Sequence, residues 1–196
     1  MSGERENAVR IPPMREIETE IRRARHGEAF RKAILSTMCA VIVIAAIATL
    51  IATFVLPVMQ ISGSSMDPTI SEGDTVVLFK TESYKTGDLC AFSWNNKTLI
   101  KRVIAVSGDW VEIDADGTVR VNGIVLDEPY VREKGLGECD ITFPYQVPEN
   151  SCFVMGDKRL SSVDSRSSVI GSVSMEQMIG RIFLRVSPPG RFGLIK

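Results

Sequence analysis

The chain starts with a polar segment, continues as a long apolar run and ends in short stretches of alternating apolar and polar residues. No Asp, Glu, Lys or Arg occurs between Lys32 and Asp67. Residues 33–56 are apolar apart from five Ser, Thr or Cys residues. As a helix this run would reach roughly 36 Å, more than the hydrocarbon core of about 30 Å. The pattern predicts an uncleaved transmembrane anchor over residues 33–57, because a signal peptide has a shorter apolar stretch.

The residues before the anchor carry more cations than the residues just after it. Residues 1–32 hold eight Lys or Arg, and the first cation beyond the anchor is Lys80. The positive-inside rule then predicts that residues 1–32 are cytoplasmic and that residues 58–196 lie on the extracytoplasmic side. The stretch from Met14 to Lys32 is compatible with an amphipathic helix, a solvated helix or disorder. The cations nearest the anchor are Arg22, Arg23, Arg25, Arg31 and Lys32.

Beyond residue 58 the pattern is that of a mainly β domain. Short β-branched or aromatic runs alternate with Gly, Asp and Asn turns, and Asn122-Gly123 is a strong hairpin signal. An irregular excursion is expected at about 131–150, and one or two helical turns at Ser174–Ile179. The predicted strands are Thr75–Phe79, Asp88–Trp94, Thr98–Val106, Asp109–Asp114, Thr118–Val121, Ile124–Leu126 and Gly180–Val186.

Composition and charge exclude several classes of function. The net charge of −1 gives no electrostatic basis for binding nucleic acid. The spacing of His, Cys, Asp and Glu shows no metal site, and no cofactor is expected. The four cysteines leave a Cys139–Cys152 disulfide open, since sequence alone does not settle pairing.

The candidate chemistry is that of a serine hydrolase with a lysine base. The single histidine, His26, precedes the anchor, so a Ser-His-Asp triad in the β domain is excluded. A lysine accepts a proton only when it is neutral, so its pKa must fall by several units, which burial among apolar groups achieves. Lys101 lies in a predicted strand, where Leu99 and Val103 share its face. Ser65 lies in a Gly/Ser turn just beyond the anchor.

Several blocks of sequence together resemble a known family. They are Gly-Ser-Ser-Met-Asp-Pro-Thr at 63–69, Gly-Asp at 87–88, Lys-Arg-Val-Ile-Ala-Val-Ser-Gly-Asp at 101–109, Asp-Glu-Pro-Tyr at 127–130 and Met-Gly-Asp-Lys-Arg-Leu-Ser-Ser-Val-Asp-Ser-Arg at 155–166. In this order, and after a transmembrane helix, they resemble the motifs of bacterial type I signal peptidases over about residues 60–186. The resemblance implies an antiparallel β-sheet catalytic domain. The single anchor resembles the compact Gram-positive form, as does glycine at Gly63, where some members have serine.

The resemblance also implies roles for individual residues. Ser65 would be the nucleophile, with its backbone N–H in the oxyanion hole, and Lys101 the general base. Ser162 would hydrogen-bond the lysine amine and orient it. A supporting charge network would comprise Asp157, Asp164, Arg166 and Arg102, and Met66 would shape the nucleophile turn, as would Pro68-Thr69. The chain departs from the family at Lys158, where Asn is common, and at Leu160-Ser161.

The function implied is that of a membrane-anchored serine endopeptidase. It would cleave signal peptides from secreted preproteins at the bilayer surface, as a monomer. One alternative is a non-catalytic signal-peptidase-like assembly factor for surface pili, in which the nucleophile or the base is lost. Another is a self-cleaving Ser-Lys repressor, which should have a DNA-binding domain in place of the anchor.

Overall fold

The computed structural model of the chain describes residues 13–195. Residues 1–12 of the predicted cytoplasmic segment lie outside the described residues, as do Lys196 and the side chains of Arg23, Arg25 and His26. The chain divides into two compact units, Met1–Ile51 and Ala52–Lys196.

The described residues of the first unit form one long helix, α1, which begins at Met14 and ends at Val55, among the first residues of the second unit. Its stretch Phe30–Leu50 has 21 residues and a mean hydropathy of 2.5, with its side chains exposed. This stretch is long and apolar enough to cross a membrane. The hydroxyls of Thr37 and Thr49 donate to the carbonyls of Ala33 and Ala45, four residues back. Polar side chains are thus satisfied by the backbone of their own helix.

The second unit is built of antiparallel strands, so the predicted mainly β fold class is confirmed. The larger sheet has eight strands in the order β1-β2-β11-β3-β4-β9-β10, with β12 paired to β11. Its strands are β1 (Val58–Gln60), β2 (Thr75–Phe79), β3 (Leu89–Trp94), β4 (Lys97–Val106), β9 (Ser151–Met155), β10 (Val173–Ser174), β11 (Met178–Ser187) and β12 (Gly193–Leu194).

The smaller sheet has four strands in the order β7-β6-β5-β8. The predicted Asn122-Gly123 turn joins β6 to β7, and both of its residues have positive φ, 54° and 79°. The excursion predicted at 131–150 contains one short strand, β8. The strands of this sheet are β5 (Trp110–Ile113), β6 (Val119–Val121), β7 (Ile124–Val125) and β8 (Tyr145–Gln146).

The helical segment predicted at Ser174–Ile179 is smaller than expected. It is a single 3₁₀ turn, Met175–Gln177, and Ile179 already belongs to β11. Pairing of β11 with both β2 and β3 satisfies its backbone groups and extends the strand beyond the predicted Gly180–Val186. A second 3₁₀ turn, Pro189–Arg191, leads into β12.

Apolar side chains cover both faces of the larger sheet. Leu89 and Ala91 of β3 pack in one buried cluster, whereas the alternate residues Cys90 and Phe92 pack in another. The first cluster also holds Met66. This residue belongs to the turn of residues 63–69 that carries Ser65, called the nucleophile turn below. A third cluster joins β4, β5, β6 and β9 and so connects the two sheets. A buried central strand such as β4 therefore offers two apolar environments, one on each face.

Candidate active site

The two residues expected to carry the chemistry are brought together. Ser65 is partly exposed in the turn between β1 and β2, and Lys101 lies in the middle of β4. Lys101 Nζ donates a hydrogen bond to Ser65 Oγ at 2.9 Å. This distance is within reach for direct proton transfer between the two atoms.

Lys101 is held where its charged form is disfavoured. Its side chain lies among buried groups, and the residue is only 4 % exposed. Burial is the largest influence and lowers the pKa of Lys101; Asp164 raises that pKa and Arg166 lowers it further. Leu99 and Val103, its neighbours on the strand face, pack in one apolar cluster.

Cys90 belongs to the apolar setting of Lys101. Cys90 stands directly opposite Lys101 in the pairing of β3 with β4 and is fully buried. Its thiol donates to the Lys101 carbonyl at 3.4 Å. Cross-strand partners share one face of a sheet, so Cys90 lies on the face of Lys101, in the same apolar cluster as Val103. No sequence signal for this placement exists beyond the register of two neighbouring strands.

The nucleophile turn is fixed on both sides of Ser65. Gly63 has φ of +100°, a conformation that other residues rarely adopt. Met66 is buried, and its carbonyl accepts a hydrogen bond at 2.9 Å from the N–H of Ile70, which is fully buried. The Ser65 carbonyl in turn accepts a hydrogen bond at 3.0 Å from the backbone N–H of Lys158. The turn is therefore tied to the loop that follows β9.

Arg102 joins three of the motif blocks. Its Nε and Nη2 donate to the two carboxylate oxygens of Asp157 at 2.9 and 2.8 Å. Its Nη1 donates to the Gly87 carbonyl at 2.8 Å, and Thr69 Oγ1 donates to Asp157. Arg102 and Asp157 are both buried, so the ion pair is a bidentate one shielded from water.

The second expected ion pair is local. Arg166 Nε and Nη2 donate to the two oxygens of Asp164, each at 2.8 Å, and both residues are fully buried. Asp164 Oδ2 also accepts from the backbone N–H of Gly156 at 2.9 Å. The four charged residues expected as a network thus form two separate ion pairs, and each is attached to residues 156–157.

Ser162 lies in the site, but it does not make the hydrogen bond expected of it. Its hydroxyl is buried and, among the described residues, has no hydrogen-bond partner. It packs against Gly156, where an added Cβ would lie 2.2 Å from Ser162 Oγ and 2.7 Å from the Ser65 carbonyl oxygen. Lys101 Nζ is directed to Ser65 Oγ instead.

Two residues of the 127–130 block were not assigned a role from the sequence. Glu128 forms a buried, bidentate ion pair with Arg159. The ring of Tyr130 lies 3.8 Å from the Arg102 guanidinium carbon. The signal that could have indicated them is the placement of charged residues in motif blocks, since buried charges require partners.

A cavity of about 680 Å³ opens beside the nucleophile turn. Asp67 and Pro68 line it on the side of the turn. On the side of the loop after β9 it is lined by the three residues that differ from the family's usual sequence, Lys158, Leu160 and Ser161. Its lining includes the charged side chains of Asp67 and Lys158 and the apolar side chain of Leu160.

The described residues contain no group of three or more His, Cys, Asp or Glu able to hold a metal ion. The four cysteines are free thiols, so the disulfide that was left open between Cys139 and Cys152 is absent from this structure. Cys152 is fully buried in β9, whereas Cys139 is half-buried and donates to the Ile141 carbonyl.

Comparison with known proteins gives consistent matches. The model of the family described as signal peptidase, peptidase S26, matches residues 34–187. The chain is 33 % identical to signal peptidase I of Bacillus licheniformis over 72 % of this chain and 82 % of that one. It is 32 % identical to signal peptidase IB of Staphylococcus aureus strain COL over 83 % and 94 % of the two chains. A crystal structure of a signal peptidase I from Enterococcus faecalis V583 is similar at 29 % identity and a TM-score of 0.43, covering 50 % of this chain and 96 % of that one.

Proposed function

The chain belongs to the peptidase S26 family of signal peptidases, and we propose that it cleaves preproteins with a Ser65–Lys101 dyad through an acyl-enzyme. As a member of this family it is a serine endopeptidase, and signal peptides are its substrates. The observation that carries the proposal is the 2.9 Å hydrogen bond between Lys101 Nζ and Ser65 Oγ, made by a buried lysine with a lowered pKa.

In the first half of the reaction, neutral Lys101 takes the proton of the Ser65 hydroxyl while Oγ attacks the scissile carbonyl carbon. Negative charge moves to the carbonyl oxygen, where the backbone N–H of Ser65 stabilises it. The Lys101 ammonium then gives its proton to the leaving nitrogen as the carbon–nitrogen bond breaks. The mature protein leaves with a new amino terminus, and the signal peptide remains as an ester on Ser65.

In the second half, a water molecule replaces the departed amine. Neutral Lys101 takes one proton from the water as its oxygen attacks the ester carbon, and the proton passes to Ser65 Oγ as the ester bond breaks. The signal peptide leaves as a carboxylic acid, which gives the second proton of the water molecule to solvent and becomes a carboxylate. Serine and lysine are then back in their starting states, so the cycle needs no metal or cofactor.

Two features support substrate binding next to the dyad. The nucleophile turn carries Ser65 partly exposed, which gives an extended peptide access to Oγ. The cavity beside Asp67 and Pro68 offers room for side chains close to the scissile bond. The contact between Ser65 and Lys101 disfavours the alternative of a non-catalytic pilus assembly factor.

We further propose that α1 anchors the enzyme, with residues 1–32 cytoplasmic, residues 33–57 as the anchor and residues 58–196 outside. Ser65 follows Leu56 by nine residues, which span at most about 30 Å when extended. Holding enzyme and signal peptide in one bilayer raises their effective concentration and restricts their orientation. The apolar stretch Phe30–Leu50 supports this proposal.

The test of the dyad is cleavage of a purified preprotein in lipid vesicles by the wild type and by Ser65→Ala. We expect cleavage by the wild type alone. Quenching the wild-type reaction in acid, digesting the enzyme and measuring its mass should reveal signal peptide attached to the fragment that contains Ser65. Undiminished cleavage by Ser65→Ala would exclude Ser65 as the nucleophile.

The anchor is tested by deleting residues 1–55, which leaves β1 intact. The deletion should slow cleavage of the vesicle-embedded preprotein much more than cleavage of a short soluble peptide. An equal loss on both substrates would mean that the helix supports the fold of the catalytic unit rather than the encounter with substrate.

A further inference from the structure

The proposed mechanism leaves the block Asp127–Tyr130 without a task. Its Glu128 is only 7 % exposed and Arg159 only 1 % exposed. Arg159 Nη1 donates to Glu128 Oε2 at 3.1 Å, and Nη2 donates to Oε1. Such a buried, bidentate pair fixes both side chains in position and in orientation.

Tyr130, two residues after Glu128, contacts a second arginine, Arg102. The Arg102 guanidinium carbon lies 3.8 Å from the centroid of the Tyr130 ring, the geometry of a cation–π contact. The Tyr130 hydroxyl donates to Glu128 Oε1 at 3.2 Å. Glu128 and Tyr130 are therefore joined to each other, and each holds one arginine.

The side chains of both arginines donate hydrogen bonds to the same turn, residues 156–158. Arg102 binds the carboxylate of Asp157, and Arg159 Nε donates to the Gly156 carbonyl at 3.1 Å. The next residue, Lys158, donates its backbone N–H to the Ser65 carbonyl at 3.0 Å. A displacement of this turn is thereby passed to the residue that bears the nucleophile.

The turn has almost no room to shift. An added Cβ on Gly156 would lie 2.2 Å from Ser162 Oγ and 2.7 Å from the Ser65 carbonyl oxygen. Close packing of this kind transmits small movements instead of absorbing them. Proton transfer from Ser65 to Lys101 is in turn sensitive to position, because a misplacement of about 1 Å can lower a rate roughly 10²-fold.

We propose that Glu128 and Tyr130 are positioning residues, which hold Arg159 and Arg102 against the 156–158 turn and so keep Ser65 aligned with Lys101. This inference rests on the proposed function, since it assigns these residues a task in that reaction. A role in folding alone would lower the stability of the protein and leave the turnover of each folded molecule unchanged. Misalignment of Ser65 lowers kcat and leaves KM nearly unchanged, because neither Glu128 nor Tyr130 lines the cavity proposed to receive the substrate.

The experiment measures kcat and KM for a short peptide substrate, per folded enzyme in full-length form, together with thermal unfolding. Tyr130→Leu removes the ring from Arg102, and Tyr130→Phe keeps the ring while losing the hydroxyl. We expect kcat to fall roughly 10²-fold in Tyr130→Leu, with KM within about 2-fold. Tyr130→Phe should recover most of this loss, because the ring still covers Arg102.

The chain offers a matched control for the ring. Arg181 lies 4.6 Å from the ring of Phe79 and pairs with Asp88, so it too combines a ring with a carboxylate. Phe79→Leu removes that ring from an arginine without a contact to the 156–158 turn. We expect this variant to lose stability and to keep the kcat of the wild type.

The ion pair is tested separately with Glu128→Gln and Glu128→Asp. Glutamine keeps the size of the side chain and removes its charge, so kcat should fall; aspartate keeps the charge and should recover part of it. These two variants also decide the matter if Tyr130→Leu does not fold.

The proposal is overturned if Tyr130→Leu or Glu128→Gln alters stability as Phe79→Leu does and leaves kcat unchanged, or if the change appears in KM. Failure of the proposed function is a different result. In that case the wild type would cleave no preprotein, or Ser65→Ala would cleave as well as the wild type.

Discussion

The ion pairs of the catalytic unit, residues 52–196, differ widely in exposure, both between its two sheets and within the larger one, where Arg181 and Asp88 leave their side chains 35 % and 18 % exposed. Near the larger sheet, three arginine–carboxylate pairs are almost fully buried: Arg102–Asp157, Arg159–Glu128 and Arg166–Asp164. On the smaller sheet the pair Arg120–Asp114 leaves its two side chains 32 % and 45 % exposed. Both sheets are antiparallel and share one apolar cluster, so neither the type of sheet nor the core explains the difference.

The difference shows where charged side chains are buried, despite the cost of desolvation, to fix the positions of neighbouring residues. Removing charges from water costs several kcal/mol per ion, and the attraction within the pair at best offsets this cost. An exposed pair costs little and stabilises by about 0–1 kcal/mol. Each of these three buried pairs has a partner in residues 156–166, the loop that contacts Ser65, whereas the buried pair Arg185–Asp74 lies elsewhere. Their arrangement is better explained by the fixed position of the dyad than by stability.

The largest effect is expected from the dyad itself. Lys101→Ala should lower kcat by about 10²–10⁴-fold, the usual contribution of a general base, and Ser65→Ala should abolish cleavage. The double variant should be no worse than Ser65→Ala, because members of a catalytic unit are not additive. Steady-state cleavage of a preprotein measures this, and circular dichroism checks that each variant is folded. Efficient turnover by Lys101→Ala would refute the assignment of the lysine as base.

The next largest effect should come from one buried ion pair. Asp164→Asn leaves Arg166 buried without a counter-charge, and we expect a loss of about 3–5 kcal/mol in the free energy of unfolding. Denaturant titration measures this loss. The same variant removes the carboxylate that raises the pKa of Lys101, so the acidic limb of the activity profile should move to lower pH. A shift to higher pH would contradict the electrostatic account of the site.

The desolvation of Lys101 is tested on its own strand face. Because only neutral Lys101 accepts the serine proton, activity should rise with pH through its lowered pKa and be lost below it. Leu99→Ala and Val103→Ala admit water to the amine, restore its preference for charge and should move this limb to higher pH. Thr98→Ala, on the opposite strand face and exposed, serves as the control. Identical profiles in all four proteins would show that the strand-face argument is wrong.

The smallest effect is expected on the smaller sheet. Asp114→Asn breaks an exposed pair and should leave the free energy of unfolding almost unchanged, with cleavage and its pH profile unaltered. Denaturant titration beside Asp164→Asn gives the contrast directly. A loss as large as that of Asp164→Asn would remove the distinction between the two sheets.

Much of the fold follows from local patterns in the chain. Thr75–Phe79 is a strand with the bounds predicted, and most other predicted strands differ by one or two residues. The short strands β1, β8, β10 and β12 were not predicted, because two or three residues carry no periodicity and pair only when a neighbouring strand offers its edge. No bounds were predicted for β9. The sequence pattern from Met14 to Lys32 did not distinguish a helix from disorder. In the structure, these residues form the first part of α1.

The site residues that belong to sequence motifs could be predicted. The contacts that depend on how distant segments pack together could not. Ser65 and Lys101 were identified, and the structure brings them into contact. The pairing of Glu128 with Arg159 was missed, since many acidic residues could have matched that arginine. The hydrogen bond expected from Ser162 fails for a similar reason: the direction of a hydroxyl depends on packing at Gly156, which no linear pattern encodes.

The long separations within the site have a consequence for synthesis of the chain. Ser65 and Lys101 are 36 residues apart, Arg102 and Asp157 are 55 apart, and Thr69 and Asp157 are 88 apart. Contacts this distant in sequence form slowly, since loop closure must precede them. A growing polypeptide that has exposed Ser65 therefore has a hydroxyl and no aligned base until residues beyond 157 have emerged and paired. With the proposed dyad, we therefore expect proteolytic activity to appear only after the catalytic unit has finished folding.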